Sequence, residues 1–124
     1  MQGLYCKILV DTEMTESELL KLVCEITQGV KQGVRTVATS DYEADVLEND
    51  NFDRVRRSKG RDQFLYYRCY LDVFPTPQTL RANYVKAVGG LLEKLWRSGC
   101  KAVAACRFED ELPRNGGYND PLPA

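Results

Sequence analysis

Residues 64–74, Phe-Leu-Tyr-Tyr-Arg-Cys-Tyr-Leu-Asp-Val-Phe, restrict the fold more than any other stretch of the chain. Their aromatic content and their alternation predict a strand. Leu65, Tyr67, Cys69, Leu71 and Val73 would share one face, with Phe64, Tyr66, Arg68, Tyr70 and Asp72 on the other. Pro75-Thr76-Pro77 then stops the strand and opens a helix, with Thr76 as N-cap and Pro77 at the first helical position. Leu80, Tyr84, Val88, Leu91, Leu92 and Leu95 recur at helical spacing as far as Ser98, and Gly99 supplies a C-terminal stop. Gly89-Gly90 in mid-helix costs about 1 kcal/mol per glycine relative to alanine. A close approach of this helix to a sheet or to another helix would offset that cost.

The segments around this strand and helix complete a pattern. Residues 4–10 predict a first strand, with Leu4, Cys6, Ile8 and Val10 on one face and Tyr5, Lys7 and Leu9 on the other. Thr15-Glu16-Ser17-Glu18 is a capping box ahead of Leu19, Leu22, Val23 and Ile26, which predicts a helix over 15–28 with Gly29 and Gly33 at its exit. A second strand is expected over 35–47. Residues 48–63 are polar and irregular, and a fourth strand is expected over 102–109. The order β-α-β-β-α-β predicts an α+β, ferredoxin-like βαββαβ two-layer sandwich. It would have a four-stranded antiparallel sheet in the order 4-1-3-2 and two helices on one face. With 124 residues there is room for one core only, assigned to 1–112. The proline- and glycine-bearing residues 113–124 read as a tail.

Composition removes most chemistries. Hydrophobic residues make up 44% and charged residues 28% of the chain, which argues against disorder. The net charge of −1 lacks the basic excess of a nucleic-acid binder. No apolar run reaches the roughly 20 residues a membrane span needs. Met1 to Asp11 has no basic n-region or cleavage-like site, so the expected location is cytoplasmic. There is no histidine, which excludes Ser-His-Asp and Cys-His catalysis and imidazole metal sites. No phosphate-cradling glycine motif occurs. Residues 48–53 faintly resemble a calcium loop but lack its glycine and its bidentate glutamate. No metal or cofactor is therefore expected.

The five cysteines, Cys6, Cys24, Cys69, Cys100 and Cys106, have no CxxC spacing, and their odd number does not fit a disulfide framework. Four of them fall on inward faces and read as small apolar core residues. A reactive Cys100, set between Arg97 and Lys101, is the alternative.

One surface is a candidate for binding. Asp41, Glu43 and Asp45 alternate on the second strand, with Ala38, Tyr42, Ala44 and Val46 on the helix-covered side. The carboxylates would then share the open face with Tyr66, Arg68 and Tyr70, joined by Tyr5, Lys7, Asp72, Arg107 and Glu109. Tyrosine mixed with arginine and carboxylate is the composition of interface hot spots. The plain alternative is an edge strand whose charges block aggregation. An aromatic sheet face also suits RNA, but the carboxylates would repel phosphate and the aromatic-glycine signatures are missing. The only basic run is Arg54, Arg56, Arg57, Lys59 and Arg61, interrupted by Asp53 and Asp62. Asp41, Glu43 and Asp45, or Glu109, Asp110 and Glu111, could supply paired carboxylates for acid–base chemistry, but neither is set among small residues that would form a cleft.

The stretch Tyr84-Val85 … Leu91-Leu92-Glu93-Lys94-Leu95-Trp96 … Gly99 … Ala102 to Pro113 … Gly116-Gly117-Tyr118 is similar to a pattern in small bacterial proteins. The chain also resembles immunity proteins of contact-dependent and other polymorphic toxin systems. That resemblance covers about the last third of the chain and carries no catalytic residue. It implies a cytoplasmic α/β domain, free of metal, that blocks a cognate toxin such as a nuclease. The expected contacts are Asp41, Glu43, Asp45, Tyr66, Arg68 and Tyr70. The other expectations are a small enzyme or ligand-binding domain, and a homodimer formed through the sheet.

Overall fold

The computed structural model describes residues 3–60 and 62–117. Its strands are β1 (Cys6–Asp11), β2 (Val30–Gln32), β3 (Thr36–Ala38), β4 (Tyr42–Glu48), β5 (Cys69–Pro75) and β6 (Lys101–Ala105), with helices α1 (Glu16–Thr27) and α2 (Arg81–Arg97). The strands form one six-stranded antiparallel sheet in the order β2-β3-β4-β5-β1-β6. The four-stranded ferredoxin-like βαββαβ sandwich expected from the sequence is therefore wrong. The expected second strand over 35–47 breaks at Thr39–Asp41 into β3 and β4, and residues 30–32 add a further strand beyond it. The Thr39 hydroxyl makes the break. It donates to Tyr42 O and accepts the N–H groups of Asp41 and Tyr42, so the chain turns there instead of running on.

The helix of the first crossover follows its sequence signals. Thr15 Oγ1 accepts the Glu18 N–H at 3.2 Å and Glu18 Oε1 accepts the Thr15 N–H at 3.0 Å, a reciprocal capping box. These bonds hold the exposed Glu18 carboxyl below the usual carboxylate range. Thr15→Ala should cost about 1 kcal/mol. A urea titration should show a lower midpoint with an unchanged slope. The helix ends on Gln28 in the left-handed conformation (φ 58°), one residue before the expected glycine. Gly29 serves packing instead, since a Cβ there would lie 2.6 Å from Val37 Cγ1 and 3.0 Å from Ala38 O.

Both helices lie on one side of the sheet. Leu19, Leu20 and Val23 of α1 and Tyr84, Val88, Leu91, Leu92 and Leu95 of α2 share one core with Cys6, Ile8, Val10, Val37, Ala44, Val46, Cys69, Leu71 and Val73. The parity expected for β1 and for 69–73 holds. Val37, not Ala38, takes the covered side of β3, because the turn at 39–41 shifts the register.

Several expected boundaries move. The third strand begins at Cys69 rather than Phe64, and residues 63–66 form a 3-10 turn. The second helix begins at Arg81, not Pro77, because Thr76 donates to Ser40 O and Thr79 donates to Asp41 Oδ1. The fourth expected strand stops at Ala105, where Glu109 Oε2 accepts the Cys106 N–H at 2.9 Å and the chain turns away. Residues 113–117, part of the stretch read as a tail, pack back on the domain. Pro113 Cδ would sit 3.0 Å from a Cβ at Gly89, so the close approach that offsets this glycine comes from the C-terminal turn, not from the sheet or α1. Residues 118–124 lie outside the described residues. Among the described residues no helix is long and apolar enough to cross a membrane.

Candidate functional site on the outer face of the sheet

The side of the sheet away from the helices has two parts. At one end Leu9, Tyr67 and Val103 are buried beneath Phe64 and beside Tyr70 and Ala105, so the 62–67 segment covers it. Tyr67 thus lies opposite to its expected side, since the 3-10 turn before β5 resets the alternation. The other end is open. There Tyr5 and Phe74 are 43% and 46% exposed, with ring centroids 5.1 Å apart.

Strand register places carboxylates beside this aromatic pair. Glu43 stands opposite Phe74, Asp45 opposite Asp72, and Asp72 opposite Lys7. The Tyr5 hydroxyl donates to Asp72 Oδ1, and the Thr36 hydroxyl donates to Asp45 Oδ1 at 2.6 Å. Partial burial, and then the Asp72 hydrogen bond, push the Tyr5 hydroxyl well above its ordinary pKa, so it stays a donor at neutral pH. Lys7 Nζ sits 4.4 Å from the centre of the Tyr70 ring. Among the described residues Glu43, Asp45 and Asp72 form no ion pair. Two like charges directly opposed across Asp45 and Asp72 disfavour the free protein.

Of the six expected contacts, Glu43, Asp45 and Tyr70 lie on this face, Glu43 and Asp45 toward its open end and Tyr70 against the covered end. Asp41 does not, because its carboxylate is turned to Thr79 on the helix side. Tyr66 lies in the 3-10 turn, where Arg56 stacks on its ring at 5.2 Å. Arg68 points into a cluster around Phe52. Arg107 and Glu109, expected on this face, lie beyond the end of β6. Sequence reasoning missed Phe74, although its parity with Tyr70 and Asp72 was a readable signal. The edge-strand explanation for the acidic residues also falls, because β4 lies between β3 and β5 and is an interior strand.

Arg57 of the basic loop turns inward, while Arg54, Arg56 and Lys59 stay exposed. The Arg57 Nη2 lies 2.9 Å from Asp11 Oδ1 and 2.8 Å from Glu13 Oε1. Arg54, Arg57 and Arg68 all approach the Phe52 ring within 5.7 Å. Those cations answer Asp11 and Glu13 and do not form a stripe for phosphates. Asn49, in the calcium-like segment, donates to Leu65 O and Tyr67 O, and Asp53 accepts the Val55 and Arg56 N–H groups. Glu111 pairs with Arg81 through two bonds of 2.8 and 2.6 Å, while Glu109 holds the Cys106 N–H. The two carboxylates therefore serve separate partners and do not form an acid–base pair. Cys100 is buried, and burial pushes its thiol up, contrary to a reactive role.

Comparison with known protein families, curated proteins and solved structures finds no match to this chain.

Two open grooves run along α2, away from the outer sheet face. One, of about 440 Å³, includes Thr39, Asp41, Asn83, Lys86 and Lys94. The other, of about 430 Å³, includes Arg81, Val85, Glu93 and Glu111.

Proposed function

We propose that this chain is a non-enzymatic binding protein whose outer sheet face takes a basic protein surface, in the manner of an immunity protein that neutralises a bacterial toxin domain. The observation that carries this reading is the exposed Tyr5–Phe74 pair bordered by the carboxylates of Glu43, Asp45 and Asp72, which form no ion pair among the described residues. Aromatic rings supply large contact area at low entropic cost, and the carboxylates attract and orient a cationic partner. A cation placed between Asp45 and Asp72 would remove their mutual repulsion in the complex and so add to its stability. The resemblance to immunity proteins supplies the partner class. The scattering of the other carboxylates among structural hydrogen bonds supports a binding role over catalysis.

The partner to test comes from the neighbouring gene. A large secreted protein with a variable C-terminal domain directly upstream is expected, and a metabolic operon there would overturn the reading. With that toxin domain in hand, Tyr5→Ala and Phe74→Ala should each weaken the complex by about 2 kcal/mol, roughly 30-fold. Reversal of Glu43 and Asp45 to lysine together should cost several kcal/mol, slow association and flatten its salt dependence, with thermal stability retained. Unchanged affinity in both sets would reject this face.

A second reading, a small-ligand site, is favoured by the groove between Lys86 and Lys94, neither of which forms an ion pair among the described residues. Gly90 lines it, and a Cβ there would meet nothing, so packing does not explain this glycine.

A further inference from the structure

Two of the five cysteines are placed together by strand register. β1 and β6 pair as far as Lys7 opposite Ala105, and Cys6 and Cys106 are the next residue on either side of that pair. Directly opposed residues of antiparallel strands have Cα atoms about 4.5–5.5 Å apart. A disulfide spans about 4.4–6.8 Å between Cα atoms. Both side chains lie toward the helix-covered side of the sheet, Cys6 within the core and Cys106 packed against it. Cys6 is fully buried, whereas Cys106 is half-buried at the point where β6 ends.

We propose that Cys106 and Cys6 form an oxidisable dithiol that a hydroperoxide converts reversibly to a disulfide linking β1 to β6.

The two sulfurs are unequal. Cys106 is partly open to solvent where β6 ends, whereas Cys6 is fully buried, so a peroxide reaches Cys106 first. The neighbouring Cys6 thiol and the Phe108 backbone lower the pKa of the Cys106 thiol against partial burial and the nearby Glu109 and Asp110. Cys106 is thus the attacking sulfur and Cys6 the resolving one. The Cys106 thiolate attacks one peroxide oxygen. The O–O bond breaks, the other oxygen leaves as an alcohol or water after taking up a proton, and Cys106 becomes a sulfenic acid. Cys6 then attacks the Cys106 sulfur. The S–S bond forms, the S–O bond breaks, and the oxygen leaves as water carrying the Cys6 proton. Together the two thiols lose two electrons, which reduce the hydroperoxide.

The other thiols do not offer this arrangement. Burial pushes Cys69 up to about 11 and raises Cys100 as well. The Cys24 thiol donates to Gly29 O at 3.2 Å. The bond would fix the start of β1 next to Tyr5 of the outer face, but the proposal does not depend on what binds there.

The native protein is treated with a modest excess of hydrogen peroxide, alkylated, digested without reduction and analysed by mass spectrometry. The expected product is one cross-linked peptide pair, Cys6 to Cys106, short of two hydrogens, with Cys24, Cys69 and Cys100 alkylated. Dithiothreitol should reverse it, and the oxidised protein should melt at a higher temperature. Cys6→Ser should leave Cys106 as a sulfenic acid that dimedone captures, and Cys106→Ser should abolish the cross-link. If Cys6→Ser does not fold, the wild-type peptide map decides alone. Cross-links between other cysteines, oxidation of Cys106 to higher acids without a link, or no reaction at all would overturn the proposal.

Discussion

Replacing Tyr84 by alanine should destabilise the protein by about 3–5 kcal/mol, a large part of the roughly 5–15 kcal/mol that holds a domain of this size folded. Tyr84 is fully buried on α2, and its ring meets that of Phe108 edge-on with centroids 5.8 Å apart. Its hydroxyl lies 2.5 Å from Leu4 O and 3.2 Å from Val73 O, so one proton serves carbonyls just before β1 and near the end of β5. Burial raises the hydroxyl far above its ordinary pKa, so it remains a donor at any working pH. Tyr84→Phe keeps the ring and removes the donor, and should cost about 1–3 kcal/mol. Urea unfolding of both variants checks the ordering. Equal losses would mean that the hydroxyl carries the whole effect and the ring none.

The second large effect is expected at Arg57. Its side chain is 13% exposed and faces Asp11, 11% exposed, with Nε donating to Oδ2 at 3.2 Å and Nη2 lying 2.9 Å from Oδ1. Removing one partner of a buried pair leaves the other charge without compensation. Arg57→Ala should therefore cost about 2–4 kcal/mol, somewhat below a fully enclosed pair because Glu13, the third member, is open to water. That corresponds to a fall in Tm of roughly 8–16 °C for a chain of this length. Adding Asp11→Asn to Arg57→Ala should recover part of the loss, because the orphaned charge is then gone. A double-mutant cycle measures the coupling. Additive losses would show that the pair is energetically silent and that loop 49–68 is held by Phe52 and Asn49 instead.

This loop shows how far sequence reasoning reaches. Arg54, Arg56 and Arg57 look like a solvated basic run when read along the chain. Arg54 and Arg57 answer Asp11 and Glu13, more than forty residues upstream, and no local pattern connects them. Asp41 is the converse case. It alternates with Glu43 and Asp45 and so seems to share their face, yet the Thr39 turn ends the alternation before Asp41 is reached. The candidate site was half legible for this reason. Glu43, Asp45 and Tyr70 follow from parity within unbroken strands and Tyr5 from its place just before β1, whereas Asp41, Tyr66 and Arg107 belong to turns that reset it.

Local periodicity alone determined the inward faces of β1, β4 and β5, the capping box of α1 and the apolar stripe of α2. Each depends only on residues a few positions apart, whose relation the backbone geometry sets. The tertiary structure alone decided that β2 and β3 extend the sheet to six strands and that the strand expected from Phe64 begins at Cys69. It also decided that Arg57 of the basic loop pairs with Asp11 and that Cys6 and Cys106 both follow directly on the Lys7–Ala105 pair. Those outcomes rest on pairings between residues far apart in sequence. Such pairings depend on where turns fall and on which charged and polar groups find partners as the sheet closes, and no periodicity along the chain encodes them.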